Sequence, residues 1–182
     1  MYADLLRIPD DRPLIIKEYS SPFLSERRPV LIAQNATSRY TERGFQNTEN
    51  IRNHIAAVIR NTPGHVALFA QSYAMLEQIL EDDNWIPWGV RIEKERARMS
   101  KRDVGEMIQR LYQRRRTKDR VLICGALSGK LAEGVDYPEN ILDAVICVGL
   151  PVPPPSARQD ALREYCVDKF GRDLAGRYSS HQ

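Results

Sequence analysis

VLICGALSGKLAEGVDYPENILDAVICVGL, residues 121–150, is the stretch that decides the fold. It holds two continuous apolar runs, VLICGAL (121–127) and AVICVGL (144–150), each too short for a helix. Such runs predict strands buried as a parallel sheet buries them, covered on both faces. HVALFA (65–70) is a third, bounded by Gly64 and by Gln71-Ser72. Tyr73, Leu76, Ile79 and Leu80 follow at helical spacing, so a strand passes at once into a helix, the basic α/β unit.

Working outward, Ile51, Ile55, Val58 and Ile59 predict a helix with Thr48 as N-cap, ending at Thr62-Pro63-Gly64. Ser100 and Asp103 have capping-box spacing ahead of the stripe Val104, Met107, Ile108, Leu111 and Tyr112. Ser156 and Gln159 repeat that spacing after Pro153-Pro154-Pro155. They open a helix whose core face is Leu162, Tyr165, Cys166 and Phe170, with Gly171 at its C-cap. Short strands are expected at Leu14–Tyr19 and Gly89–Ile92, and Val30–Ala33 is a further apolar run. The fold class is therefore α/β: an open, mostly parallel sheet with helices on both faces. One domain is expected over residues 1–182, with its core at about 14–171 and a loosely held tail at 172–182.

Composition is that of a soluble globular chain, with 42% hydrophobic and 28% charged residues. No apolar run approaches the roughly 20 residues of a membrane span. The opening MYADLLRIPDDRPLIIKEYS lacks a signal-peptide pattern, which leaves the cytoplasm as the expected compartment. Cys124, Cys147 and Cys166 are spaced as buried, reduced thiols. With His54, His65 and His181 scattered, no metal site is assigned. Residues 91–120 carry 12 Lys/Arg against 5 Asp/Glu, whereas the whole chain's surplus is only three. The basic charge is concentrated there.

Ser128-Gly129-Lys130-Leu131-Ala132-Glu133-Gly134-Val135-Asp136 leaves the 121–127 strand, where open α/β sheets gather ligands. Glycine lets backbone approach a phosphate, and free N–H groups there can bind an anion. A P-loop would need glycine where Cys124 stands and Ser or Thr where Leu131 stands. With no acidic pair for Mg²⁺ either, these residues give the chain no catalytic site of its own. A glycine-rich turn with solvated charges and a ligand loop are equal readings of the residue types alone.

The motif order separates them. GKLAEGVDY (129–137) followed by AVICVGLPVP (144–153) resembles motif V of the XPD/DinG helicases, G-K-x-x-E-G-[IV]-D-[FY] and then a strand ending G-[LV]-P. GHVALFAQSYAMLEQIL (64–80) resembles that family's motif IV, KEYSSPF (17–23) the start of its second motor domain, and ALREYCVDKFG (161–171) the helix after motif V. The resemblance implies the second RecA-like motor domain of a superfamily 2 DNA helicase. It also implies ATP-driven 5′→3′ translocation on single-stranded DNA by the complete protein. Motif VI and the nucleotide-binding half are not in this sequence, so it resembles a fragment or a truncated paralogue.

On that resemblance Glu133, Gly134 and Asp136 face the nucleotide cleft. Ser72, Tyr73, Gly129 and Lys130 meet the DNA, although packing into the core is an equal reading for Tyr73. ATP and Mg²⁺ belong to the complete protein and an iron–sulfur cluster to the missing half, with none held by this chain alone. Single-stranded DNA and the N-terminal motor half are the expected partners of a monomer, with no membrane.

Arg110, Arg114, Arg115, Arg116 and Lys118 could meet phosphates, but a solvated helix face whose arginines pair with nearby acids is the first reading. Trp85 and Trp88 could stack on bases, and anchoring their loop is preferred. Two other classes compete with a motor half. One is a stand-alone nucleic-acid- or protein-binding module on the helicase fold. The other is a different α/β enzyme, which would need a catalytic pair that the sequence lacks.

Overall fold

A computed structural model of the chain describes residues 11, 13–27, 29–96, 98–150 and 156–171. They fall into two compact units divided between Ile32 and Ala33. In the first, residues 13–24 have no ladder partner and a single 3₁₀ turn covers Ser25–Arg27. The expected strand at Leu14–Tyr19 does not form. LIIKEY has the composition of a strand, but a strand exists only through its hydrogen-bonded neighbour, and Ile15, Ile16 and Tyr19 stay exposed.

The second unit holds four parallel strands in the order β2-β3-β1-β4: β1 His65–Ala70, β2 Val90–Lys94, β3 Arg120–Ala126 and β4 Leu142–Val148. Helix α1 is Phe45–Asn61, α2 is Tyr73–Ile79, α3 is Lys101–Arg116 and α4 is Ala157–Phe170. Side chains alternate across the central strands. Val66, Leu68, Leu122 and Cys124 point to one face, where Ile51, Ile55 and Ile59 of α1 and Leu76 and Ile79 of α2 cover them. Ala67, Phe69, Val121 and Ile123 point to the other, under Val104, Met107, Ile108 and Leu111 of α3. Helices thus lie on both faces, as expected. Each fully buried aliphatic side chain in these layers contributes roughly 1.5–3 kcal/mol.

β4 is an edge strand and departs from the reading of a run covered on both sides. Asp143, Val145 and Cys147 alternate outward, so Cys147 is exposed while Cys124 and Cys166 are buried, and all three thiols are free. Helix α1 begins three residues before the expected Thr48 cap, with Gly44 as N-cap. Thr48 is instead buried, its Oγ1 donating to the Gly44 carbonyl at 3.1 Å and accepting from Gln78 Nε2. The Ser100–Asp103 capping box is complete, and Ser156 caps α4 through the Gln159 amide. On α4, Cys166 packs with Leu162, Val167 and Phe170, whereas Tyr165 is exposed rather than on the core face.

Two buried polar residues join these elements. His65 is fully buried; its Nδ1 accepts from the Val121 amide, so the ring proton sits on Nε2 and donates to the Leu111 carbonyl at 3.0 Å. Arg52 of α1 donates to the carbonyls of Gln78 and Ile79 at the end of α2. It does for that helix what a C-terminal cation does, and it binds α1 to α2.

Candidate functional site

The carboxyl ends of β1, β2 and β3 bring the sequence-predicted loop and the Ser72–Tyr73 turn side by side. The Leu127 amide donates to the Ala70 carbonyl at 2.8 Å, so the loop leaving β3 is tied to the end of β1. On the other side the Gln71 amide donates to the Val148 carbonyl of β4. Ser72 caps α2, its Oγ accepting from the Met75 amide at 3.2 Å, which leaves its own proton to donate elsewhere.

The loop leaving β3 at Leu127 is anchored by a buried apolar residue. Leu131 is fully buried in the α3 layer, and the Tyr137 hydroxyl donates to its carbonyl at 2.7 Å. Gly129 starts a turn whose carbonyl accepts from the amides of Ala132 and Glu133. Lys130 is exposed, and its Nζ donates to the Met99 carbonyl. Gly134 has φ +78, a conformation that only glycine adopts without strain, and it sets the direction of the chain between Glu133 and Asp136. Those two carboxylates are exposed. Asp136 stands near Tyr112 of α3, whose hydroxyl donates to Pro138 and whose pKa rises through desolvation and the charges of Glu139 and Asp136.

The expected residues therefore form two groups. Ser72, Tyr73, Gly129 and Lys130 converge at the sheet's carboxyl edge. Glu133, Gly134 and Asp136 occupy the outer arm of the loop, with Asp136 on the side toward α3.

A residue that the sequence reading passed over sits in the first group. Glu95 follows β2 and is only 3% exposed. Its Oε1 accepts from the Lys130 amide at 2.6 Å, and its Oε2 accepts from the Ala126 amide. The half-buried Tyr73 has its pKa pushed up to about 12, by desolvation and then by the nearby Glu95 carboxylate. Tyr73 is partly buried and is in neither of the two core clusters flanking the sheet. Tyr137, deeper, is also pushed up to about 12, by burial and then by the charge of Glu95. The missed signal was position: a charged residue directly after a strand in a parallel sheet stands at the ligand-binding edge. Arg43 was missed as well. It stacks over Tyr40, with Nη2 at 3.4 Å from both Gln71 Oε1 and the Ser38 carbonyl.

The basic helix is largely neutralised. Arg110 and Arg114 reach Glu93, Arg114 also reaches Asp119, and Arg115 pairs with Asp143 at 2.7 Å. Trp85 anchors its loop, its Nε1 donating to the Ile79 carbonyl, but Trp88 is fully exposed. Among the described residues no group of three or more His, Cys, Asp or Glu could hold a metal ion. Nor is any helix among them long and apolar enough to cross a membrane.

Residues 55–181, more than half of the chain, match the family described as the helicase C-terminal domain. The chain belongs to that family. This helicase C-terminal domain is also similar in fold to two solved chains, named XPD helicase and XPD apo. The first is 22% identical with a TM-score of 0.53, covering 76% of this chain and 24% of its own. The second is 23% identical with a TM-score of 0.54, covering 77% of this chain and 27% of its own. The domain spans about a quarter of the length of either. The resemblance to XPD/DinG helicases read from GKLAEGVDY and its following strand is borne out, and so is the RecA-like fold.

Proposed function

We propose that this helicase C-terminal domain is the second motor half of an ATP-dependent 5′→3′ DNA helicase of XPD/DinG type. The observation that carries the reading is the position of the loop matched to motif V. It leaves the sheet at its carboxyl edge and is hydrogen-bonded to the end of β1 beside Ser72. Two neighbouring loops at one edge give a strand of phosphates a hydroxyl donor on Ser72 and a cation on Lys130. Glu133 and Asp136, on the arm shaped by Gly134, are free of ion pairs among the described residues. They are thereby available to a nucleotide cleft completed by the other motor half.

Within this reading ATP with Mg²⁺, held mainly by that other half, supplies the free energy of translocation. The present chain contributes the far wall. Its residues fit no more than that, because the sequence has neither a P-loop nor an acidic pair for Mg²⁺. An iron–sulfur cluster belongs to the other half on the same reading. Lys130 attracts and orients the DNA backbone, while Glu133 and Asp136 report the state of the cleft to the loop that carries Lys130. Coupling then needs no moving part beyond one short loop.

The test joins the chain to a nucleotide-binding motor half and measures DNA-stimulated ATP turnover. Asp136→Ala and Glu133→Gln should lower kcat more than they raise KM, with most DNA affinity kept. Lys130→Ala should instead raise the DNA concentration needed for half stimulation. Arg115→Ala, already paired with Asp143, should change neither. If Arg115→Ala matches Lys130→Ala, or Asp136→Ala unfolds the domain and leaves turnover per folded molecule unchanged, these assignments fail.

A further inference from the structure

Glu95 is the one carboxylate buried at the sheet's carboxyl edge, among the described residues, and everything around it is shaped to admit it. A buried charge is costly unless hydrogen bonds compensate it. Here the donors are the backbone amides of Ala126 and Lys130. Its own amide donates to the Cys124 carbonyl at 2.7 Å, which fixes the backbone beneath the side chain. Space is provided by two glycines. A Cβ on Gly129 would collide with the Glu95 carboxylate, whose atoms are its three nearest neighbours, and one on Gly125 would lie 2.6 Å from Glu95 Oε2. Neither glycine is in a conformation closed to other residues.

We propose that Glu95 is a positioning residue: its carboxylate fixes the Gly129–Lys130 turn against the end of β3 and so holds Lys130 at the DNA-facing edge of the sheet. The proposal rests on the reading that Lys130 meets DNA. It gives Gly129 a different reason to be glycine from close approach to a phosphate, and the two reasons are separable by experiment. If Gly129 makes room for Glu95, shortening Glu95 removes the need for glycine. If it makes room for phosphate, the need persists.

Five full-length proteins decide this: wild type, Glu95→Gln, Glu95→Ala, Gly129→Ala, and Gly129→Ala with Glu95→Ala. Amide exchange is followed residue by residue, and binding of a labelled oligothymidylate is titrated on the same samples. In Glu95→Ala the Lys130 amide should lose protection by about tenfold or more, while Leu122 and Ile123 in β3 keep theirs. Oligothymidylate affinity should fall about threefold or more, as expected for one misplaced charge-assisted contact. Glu95→Gln, which keeps one acceptor oxygen, should be intermediate in both. Gly129→Ala should weaken binding alone and cost nothing further beside Glu95→Ala.

Unchanged protection at Lys130 overturns the proposal. So does a loosened turn with unchanged affinity, or an equal cost of Gly129→Ala in both backgrounds. Should Glu95→Ala fail to fold, Glu95→Gln and Gly129→Ala carry the same comparison. A wild-type chain that binds no oligothymidylate removes the reading that this edge meets DNA, and the DNA-positioning role with it, whereas the exchange data still judge the turn.

Discussion

Leu131 and Glu133 are two residues apart in the same loop, yet one is fully buried and the other exposed. Substitution should therefore separate stability from function within it. Leu131→Ala empties a site in the α3 layer and should cost about 2–5 kcal/mol in denaturant unfolding. Glu133→Gln should leave the midpoint within about 0.5 kcal/mol, as is usual for exposed positions. Equal losses would make the loop a structural brace throughout. The sequence spoke unevenly at this scale. The loop's glycines and charges were legible because their spacing is local. Glu95 was not, since nothing in RIEKERAR marks one charge among its neighbours, and only the meeting of β2 with β3 and its following loop buries it. Trp85 and Trp88 looked equivalent for the same reason, although one donates to Ile79 and the other stands in solvent.

Among the elements, the central strands and the caps of α3 and α4 were read nearly to the residue, and the start of α1 and the edges were not. HVALFA is β1 itself, and Ser100 caps α3 with Asp103 returning the bond to its amide. That return bond holds the Asp103 carboxyl below its ordinary range. Ser100→Ala should cost about 1 kcal/mol, measured by thermal or chemical unfolding. An unaltered stability would mean that packing of Val104, Met107 and Leu111 alone fixes the helix start. Asp103, with its pKa lowered on folding, adds stability that is present above its unfolded value and lost as pH falls through the folded one. AVICVGL and LIIKEY show why edges mislead. An apolar run records what a strand could bury, whereas neighbours decide what it does bury. β4 has a partner on one side only, and Leu14–Tyr19 has none among the described residues.

For the whole molecule, buried acids of high pKa predict alkaline lability. Tyr73 and Tyr137 rise from 10.0 to about 12, and Cys124, desolvated in the core, rises from 9.0 to about 12. A group whose folded pKa is raised holds its proton longer when folded. Its contribution is complete below the unfolded pKa and disappears as pH climbs toward the folded one. Thermal midpoints should thus be flat up to about pH 9 and fall steadily from there to about 12. A midpoint still flat at pH 11 would mean that these groups ionise freely in the folded state.

The family and the RecA-like sheet place this chain among helicases, and the central remaining claim is that its carboxyl edge carries single-stranded DNA by its phosphates. The most direct measurement is oligothymidylate affinity of the full chain as a function of salt, for wild type and Lys130→Ala. The account predicts weak binding that falls by about 0.7 log units per log unit of salt for each phosphate held, and a slope smaller by about one such step in Lys130→Ala. It also predicts the same slope for oligonucleotides of other sequence. Binding indifferent to salt, or selective for one sequence, or unaltered in Lys130→Ala, would contradict it.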